Sequence, residues 1–277
     1  MKSRIETAMV LLCAGAALAL QACGGGGGGG DGGTGNAGAS PSTGGSGSSP
    51  GNSGSVSAMF KPKAGSARDQ LIGVTSQRMG RLDRMEQAAS GAVLKLDDAV
   101  LSGQTAVQDI RGDASFAMGR WVAGTLTTSS GSETLTGKDN RNYHYVVYNL
   151  PDAYPASASL SCDAGTFTAP SRDGGSSSGP LTGSTSGNAS LSFAADGATV
   201  SGKLTVTAGS GSGSASLNTT GVKLGVTSIT GGFIGGGGGA GVQVAEGADG
   251  TYQIVGAYRA KTGDGTGYIG VYRFSCK

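Results

Sequence analysis

From residue 92 onward the chain is a series of short runs in which apolar and polar residues alternate, and this pattern limits the folds open to it. Ala158, Leu160 and Cys162, for example, share one parity along their run. Gly, Ser and Asp separate the runs and mark turns. Regular short strands predict an all-β sandwich or barrel, and a barrel also leaves no open sheet edge. The predicted strands are 93–96, 116–127, 143–148, 157–162, 191–193, 200–206, 215–217, 227–233, 252–259 and 268–274.

The composition supports this fold class and limits the function. Glycine accounts for 55 of the 277 residues, which favours turns, strands and linkers over long helices. The net charge is +2 and only 14% of the residues are charged, so the chain lacks the basic surface of a nucleic-acid-binding protein. We predict one domain of ordinary size and no nucleic-acid partner.

The N-terminus has the pattern of an export signal. Lys2 and Arg4 precede an apolar stretch, 8–20, that is too short to span a membrane. The following residues, 20–23, resemble a bacterial lipobox, which implies cleavage after residue 22 and lipidation of Cys23. An ordinary secretory signal cut near the same place is the alternative. By analogy with lipoproteins, the absence of aspartate after the cysteine directs the protein to the outer membrane, anchored by more than one acyl chain.

A linker follows the modified cysteine. Residues 24–57 are almost entirely Gly, Ser, Asn, Ala and Thr, and they cannot bury enough apolar surface to fold. Such a chain behaves as a coil with an average reach of roughly 30–35 Å. We therefore predict a disordered spacer between the membrane and the domain.

A short helical segment is expected between the linker and the barrel. Ser66 and Asp69 have the spacing of a helix N-terminal capping box. Apolar residues then recur at helical spacing, although two glycines interrupt them; they are Leu71, Ile72, Met79, Leu82, Met85 and Ala89. We predict that this helix packs over one end of the barrel, with binding to acidic lipid as the alternative.

Four cysteines are present. Cys13 is removed with the leader and Cys23 carries lipid, which leaves Cys162 and Cys276 in an oxidising compartment. Each shares the parity of the apolar residues of its own run. We predict a core-side disulfide that closes a loop of about 115 residues, with two buried free thiols as the alternative.

Several runs resemble the barrel domain of bacterial lipoproteins of the transferrin-binding-protein and factor-H-binding-protein type. They are 114–121, 143–147 and 190–195, followed in the same order by 231–233, 256–258 and the closing strand. The resemblance covers 105–277 and implies an antiparallel barrel of about eight strands on a lipid anchor. Members of that family bind host proteins or sources of iron and haem, often outside the cell.

The chain departs from the family between residues 234 and 250. A glycine run, 235–239, and a loop with Glu246 and Asp249 stand where the family has an alanine-rich helical connection. Partner surfaces vary most in such loops, so no binding residue is transferred from the family to this chain.

Candidate chemistry centres on His144, the only histidine. Together with Tyr143 and Tyr145 it forms a candidate ligand-binding group, which could contact a flat ligand such as haem. The alternative is a histidine whose hydrogen bonds are satisfied within the barrel wall. A G-x-S-x-G match at 175–179 lies in a Ser/Gly loop and not on a strand-to-helix turn, and no His/Cys group has metal-site spacing.

These features predict a non-catalytic binding protein, with no cofactor and no metal. We expect a surface-displayed, monomeric lipoprotein of the outer membrane that engages a host protein or a solute through loops of the barrel. A non-catalytic envelope scaffold facing the periplasm is the alternative. The predicted domains are 1–22 (signal peptide), 23–57 (lipidated cysteine and disordered linker), 58–104 (partly helical lead-in) and 105–277 (barrel).

Overall fold

The computed structural model describes residues 51–174 and 179–277, and these residues form an all-β structure of two antiparallel sheets. The leader, Cys23 and residues 23–50 of the linker lie outside the described residues. The first sheet contains β1 (Ala67–Gly73), β2 (Gln77–Arg81), β3 (Met85–Gln87), β4 (Val93–Leu96), β5 (Ala99–Asp113), β6 (Phe116–Thr128), β7 (Gly131–Thr136) and β8 (Tyr143–Asn149).

The second part of the chain supplies eleven strands and one 3₁₀ turn, Ala248–Gly250. The strands are β9 (Ala158–Ser161), β10 (Thr166–Phe167), β11 (Ser171–Arg172), β12 (Ser184–Ala194), β13 (Gly197–Ala208), β14 (Gly211–Ser216), β15 (Thr219–Val222), β16 (Ser228–Ile229), β17 (Gly239–Glu246), β18 (Tyr252–Thr262) and β19 (Gly267–Cys276). Among the residues described, none belongs to a helix long and apolar enough to cross a membrane.

The first sheet is curled into a half-barrel. Its order is β2-β1-β8-β6-β5-β4-β3, with β7 beside the second half of β6. The two ends of this order, β2 and β3, follow one another in the chain and are separated only by residues 82–84. Because so short a connection joins the first and last strands, the sheet must bend until its ends approach each other.

The second sheet closes on itself where β9, its first strand in the chain, meets β19, its last. Its order is β10-β19-β18-β14-β13-β12-β9, and β17 pairs with β18. Backbone hydrogen bonds of 3.0 and 3.1 Å join Ser161 to Lys277, and Cys162 and Cys276 form an isolated antiparallel bridge. The predicted disulfide joins these two cysteines, 114 residues apart, where the sheet closes. Both the disulfide and the barrel-like all-β fold are therefore confirmed.

Three large apolar clusters and a small fourth one, of Ala106, Val122 and Ala123, follow from this arrangement. One fills the half-barrel, one fills the second sheet, and one lies between the two sheets. Strand β8 contributes to two of them, because alternate residues point to opposite faces. Tyr145 and Val147 belong to the half-barrel core, whereas Val146 and Tyr148 belong to the layer between the sheets.

The predicted helix before the barrel is wrong. Residues 67–87 form β1, β2 and β3, and position 105, the expected start of the barrel, lies inside β5. Strand β1 is hydrogen-bonded to β2 on one side and to β8 on the other. The adjacent residues Leu71 and Ile72 are both apolar because they enter two different cores, and this mimics part of a helical pattern.

Part of the predicted disordered linker is also wrong. Residues 51–57 run along β5, where backbone nitrogens of Ser53, Ser55 and Ser57 donate hydrogen bonds to three β5 carbonyls at 2.9–3.0 Å. Strand β4 pairs only with the first residues of β5, so the rest of this edge of β5 is open to residues 51–57. We call residues 51–57 the N-terminal strap. Backbone pairing needs no apolar side chains, which is why composition alone does not reveal it.

The expected loop at 234–250 likewise contains a buried strand, since β17 occupies Gly239–Glu246. Glycine is required here by close approach of two backbones. A Cβ on Gly256 would lie 1.7 Å from the carbonyl oxygen of Gly241 on β17. The glycine-rich composition of this region therefore reflects packing between β17 and β18 as well as turns.

Candidate functional site

His144 lies on β8, on the face that points towards the second sheet, and it is fully buried. Its Nδ1 is 2.8 Å from the hydroxyl of Thr168, and its Nε2 is 3.0 Å from the hydroxyl of Ser171. Both ring nitrogens therefore have partners within the protein.

A second set of polar contacts lies beside the histidine. Arg120, the residue that pairs with His144 on β6, donates from Nε to Asp109 at 3.0 Å. The same Asp109 carboxylate oxygen accepts a hydrogen bond from the backbone nitrogen of Ala169 at 3.0 Å. The two sets of contacts thus join β8 and β5 to the segment that packs on β19, and Arg120 joins β6 to β5.

Burial lowers the pKa of His144 well below its usual value, and the positive charge of Arg120 lowers it further. The imidazole is therefore neutral at physiological pH, with one nitrogen donating and the other accepting. These contacts match the alternative given by the sequence, a histidine satisfied within the wall of the structure.

The structure does not bring the three predicted ligand residues together. Tyr143 and Tyr145 point into the half-barrel, on the face opposite His144, because the three are consecutive on one strand. The Tyr145 hydroxyl accepts a hydrogen bond from the backbone nitrogen of Val93 at 3.1 Å, and its ring is 5.7 Å from that of Trp121. Tyr145 is therefore a core residue, and only Tyr143 reaches a cleft.

That cleft opens at one end of the half-barrel and has a volume of about 470 Å³. Three turns form its rim: β1–β2, β4–β5 and β6–β7. We call it the mouth cleft; its lining residues are Leu71, Thr75, Ser76, Gln77, Arg78, Asp98, Ala99, Leu126, Thr128, Ser129, Ser130, Gly131, Ser132, Glu133 and Tyr143. Its volume is within the range of small-molecule sites.

One wall of the mouth cleft is a hydrogen-bonded group around Glu133. The Tyr143 hydroxyl donates to Glu133 Oε2 at 2.8 Å and lies 2.5 Å from the hydroxyl of Thr75. Arg141 approaches the other oxygen of Glu133 at 3.3 Å. Burial raises the pKa of Tyr143, so this hydroxyl keeps its proton. The Thr75 hydroxyl also donates to Glu133 Oε2 at 3.4 Å, so three neighbours hold the carboxylate in one position.

The opposite wall is organised by Arg78. Its guanidinium lies 2.6 Å from a carboxylate oxygen of Asp69 and 2.6 Å from one of Asp98, and it donates to the carbonyl of Leu96 at 3.1 Å. These contacts connect β1 and β2, at one end of the sheet order, to the turn after β4, near the other end. Arg78 thus closes the half-barrel where its backbone ladder is interrupted.

The two acidic partners of Arg78 differ in environment. Asp69 is fully buried, and desolvation raises its pKa to about 6 despite the charge of Arg78. Asp98 is exposed, and a hydrogen bond from Ser129 lowers its pKa. Asp98 is therefore the fixed negative charge on this wall, whereas Asp69 titrates near neutral pH.

The mouth cleft has negative charge in excess. Two arginines, Arg78 and Arg141, form ion pairs with four carboxylates at the cleft. At pH 7 these six groups carry a net charge of two negative charges. The carboxylates are Asp69, Asp97, Asp98 and Glu133. In the part of the chain that the structure describes, no three His, Cys, Asp or Glu side chains are grouped to hold a metal ion.

One polar group of the lining is left without a partner. The side-chain oxygen of Gln77 is buried, and among the described residues it accepts no hydrogen bond. A buried acceptor without a donor costs free energy. Because this oxygen is shielded from solvent, a ligand in the mouth cleft does not reach it unless the side chain moves.

Sequence reasoning identified Tyr143 but missed the rest of the mouth cleft. The available signal was the concentration of hydroxyl residues in two turns, 75–76 and 127–132. That signal is weak, because Ser and Thr are frequent throughout this chain. Of the G-x-S-x-G match at 175–179, residues 175–178 lie outside the described residues.

Comparison of the chain with models of protein families, with curated proteins and with solved structures found no match.

Proposed function

We propose that this protein is a lipid-anchored binding protein of the outer membrane, displayed at the cell surface, that captures a solute in the mouth cleft. The observation that carries the proposal is the cleft itself, a concave site with an apolar floor and a polar rim built from three turns. Loops positioned by a rigid sheet are a common location for binding sites. The anchor and the compartment are supported by the lipobox-like residues 20–23 and by the resemblance to surface lipoproteins.

The position of His144 supports binding over catalysis. General acid–base and Ser-His-Asp chemistry most often use an accessible histidine. The single histidine of this chain is buried, neutral and bonded through both nitrogens. The carboxylates of the mouth cleft are engaged by Arg78, Arg141 and Tyr143, which suits fixed recognition groups.

The experiment that tests the proposal is proteolytic release from intact cells. Proteinase K should cut the glycine-rich segment before residue 51 and liberate the folded remainder into the medium. A parallel sample with the outer membrane opened measures the total amount of protein, and a periplasmic marker confirms that the first sample stayed sealed. Release only after opening would contradict surface display.

A Cys23→Ala variant supplies the control for the anchor. We expect it to lose incorporation of radiolabelled palmitate and to leave the membrane fraction without protease. Retention of the variant in the membrane fraction would contradict anchoring through Cys23.

A second candidate function, a scaffold that contacts other envelope proteins, is favoured by a different observation. Four aliphatic side chains in the segment 224–234 are exposed, and exposed apolar side chains are typical of protein contacts. They are Leu224, Val226, Ile229 and Ile234, the last with 66% of its surface exposed. Protection of the domain in sealed cells would shift the assignment to this function.

A further inference from the structure

We infer that the ligand of the mouth cleft is a carbohydrate without negative charge, either neutral or carrying an amine. The inference rests on the proposed binding function and names the class of solute. Three features of the mouth cleft support it: the hydrogen-bonding groups, the apolar floor and the net charge.

The rim matches the needs of a ligand with many hydroxyl groups. Hydroxyls act as both donors and acceptors, so they are bound best by side chains that offer several acceptors or donors in fixed directions. Asp98 and Glu133 each present a carboxylate with about four acceptor positions, of which the protein uses only some.

These groups are held in place before a ligand arrives. Arg78 is fixed by Asp69 and by the carbonyl of Leu96, and Glu133 is fixed by Tyr143 and Arg141. A site whose side chains are already ordered loses less entropy on binding. This is required for a weakly hydrophobic ligand, which gains little from apolar burial.

The floor of the mouth cleft is aliphatic. Leu71, Ala99 and Leu126 are buried and line it, while the hydroxyl residues are at the rim. A pyranose ring carries C–H groups on its faces and hydroxyls around its edge. The arrangement of an apolar floor beneath a polar rim is therefore complementary to a sugar ring lying in the cleft.

The charge of the mouth cleft decides between classes of sugar. The excess of two negative charges around the cleft repels carboxylated or sulfated sugars and tolerates neutral ones. An amine on the ligand would be attracted to Asp98 and Glu133. Phosphate and nucleotide ligands are disfavoured for the same reason, because Arg78 is already bound to two carboxylates.

The test uses the full-length lipoprotein purified in a zwitterionic detergent without a sugar headgroup. The protein is applied to an array of defined glycans that includes neutral, amine-bearing and anionic members. The best neutral or amine-bearing binder is then titrated calorimetrically, beside maltotriose, a glucosamine trimer and trigalacturonate as trisaccharides of matched length and different charge.

Two variants and one control separate recognition from folding. Glu133→Gln and Asp98→Asn keep the shape of the side chains, and each should weaken binding about tenfold or more, the usual effect of losing a charged hydrogen-bond partner. Glu86→Gln, an exposed carboxylate on β3 outside the mouth cleft, is the matched control and should bind as the wild type does.

Binding of a neutral or amine-bearing glycan that both cleft variants weaken and the control keeps would support the inference. It would be overturned by an array without such a binder, by preference for trigalacturonate or another anionic glycan, or by binding that the cleft variants leave unchanged. Because purified protein is used, failure here is distinguishable from failure of surface display in the protease experiment.

Discussion

The buried carboxylate of Asp69 lies 2.6 Å from the guanidinium of Arg78, and the same guanidinium reaches the turn between β4 and β5. The contact closes the half-barrel at the place where its first and last strands are not paired through their backbones. In the second sheet the corresponding closure, between β9 and β19, is made by a disulfide beside the backbone hydrogen bonds of Ser161 with Lys277. One closure is ionic and responds to pH, whereas the other is covalent and responds to redox conditions.

The first prediction concerns the pH dependence of stability at Asp69. Its pKa is about 6 in the folded protein against 3.8 unfolded, so the folded state binds the proton more tightly. The cost of ionising Asp69 is fully present above pH 6 and is relieved as pH falls towards 3.8. The wild type should therefore gain about 2–3 kcal/mol in free energy of unfolding, relative to Asp69→Asn, between about pH 7 and about pH 4.

Urea unfolding of both proteins at four pH values measures this difference. The comparison with Asp69→Asn is needed because other groups titrate in the same pH range. Their contributions to the free energy of unfolding cancel only in the difference between the two proteins. A wild type that loses stability relative to Asp69→Asn on acidification would show that attraction to Arg78 outweighs burial.

The second prediction concerns the protonation of His144. Because burial and Arg120 lower its pKa, its Cε1–H signal in NMR spectra should not shift between about pH 8 and about pH 5 while the protein is folded. The chain contains one histidine, so an untagged sample gives one signal to follow. A titration midpoint near 6.5 would mean that the imidazole reaches solvent, and it would restore His144 as a ligand candidate.

The third prediction concerns the disulfide. Replacing both Cys162 and Cys276 by serine should lower the free energy of unfolding by about 4–5 kcal/mol, because the unfolded chain gains the freedom of a loop of about 114 residues. Chemical unfolding with and without a reductant checks this value. The reductant should destabilise the wild type by a similar amount and leave the double variant unchanged; equal stability of all samples would contradict the prediction.

The fourth prediction concerns the N-terminal strap. Gly54 has a φ of +92°, and a Cβ there would lie 2.3 Å from the carbonyl oxygen of Ile110 on β5. Gly54→Ala should therefore detach the strap and cost about 1–3 kcal/mol. The matched control is Gly51→Ala, which has no atom within 4 Å of the new methyl group.

Hydrogen exchange of the β5 peptide is the measurement for the strap. The backbone nitrogen of Ile110, which donates to Ser53, should exchange faster in Gly54→Ala than in Gly51→Ala. Equal exchange in the two variants would show that the strap contributes nothing to protection of β5.

Local patterns predicted part of this molecule correctly. The shared parity of Cys162 with Leu160, and of Cys276 with Phe274, placed both thiols on core faces, and the disulfide is there. Alternation also predicted the long hairpin of β12 and β13. These inferences succeeded because the direction of a strand side chain depends on position along one strand alone.

The same reasoning failed at 67–87, where strands replace the expected helix. Strand β1 is buried on both faces because it pairs with β8, about 75 positions later, as in the register of Leu71 with Tyr145. A segment buried on both faces loses the period-2 pattern, so apolar residues at helical spacing become ambiguous.

The sequence by itself determined the all-β class and the cysteine pair, because alternation, turn residues and parity are properties of short segments. Only the tertiary structure decided the burial of His144, the position of the N-terminal strap and the assembly of the mouth cleft. Each of these depends on contacts between distant segments, such as Arg78 with Asp98 or Glu133 with Thr75. The curvature of the sheets sets those contacts, and no single segment of the chain specifies it.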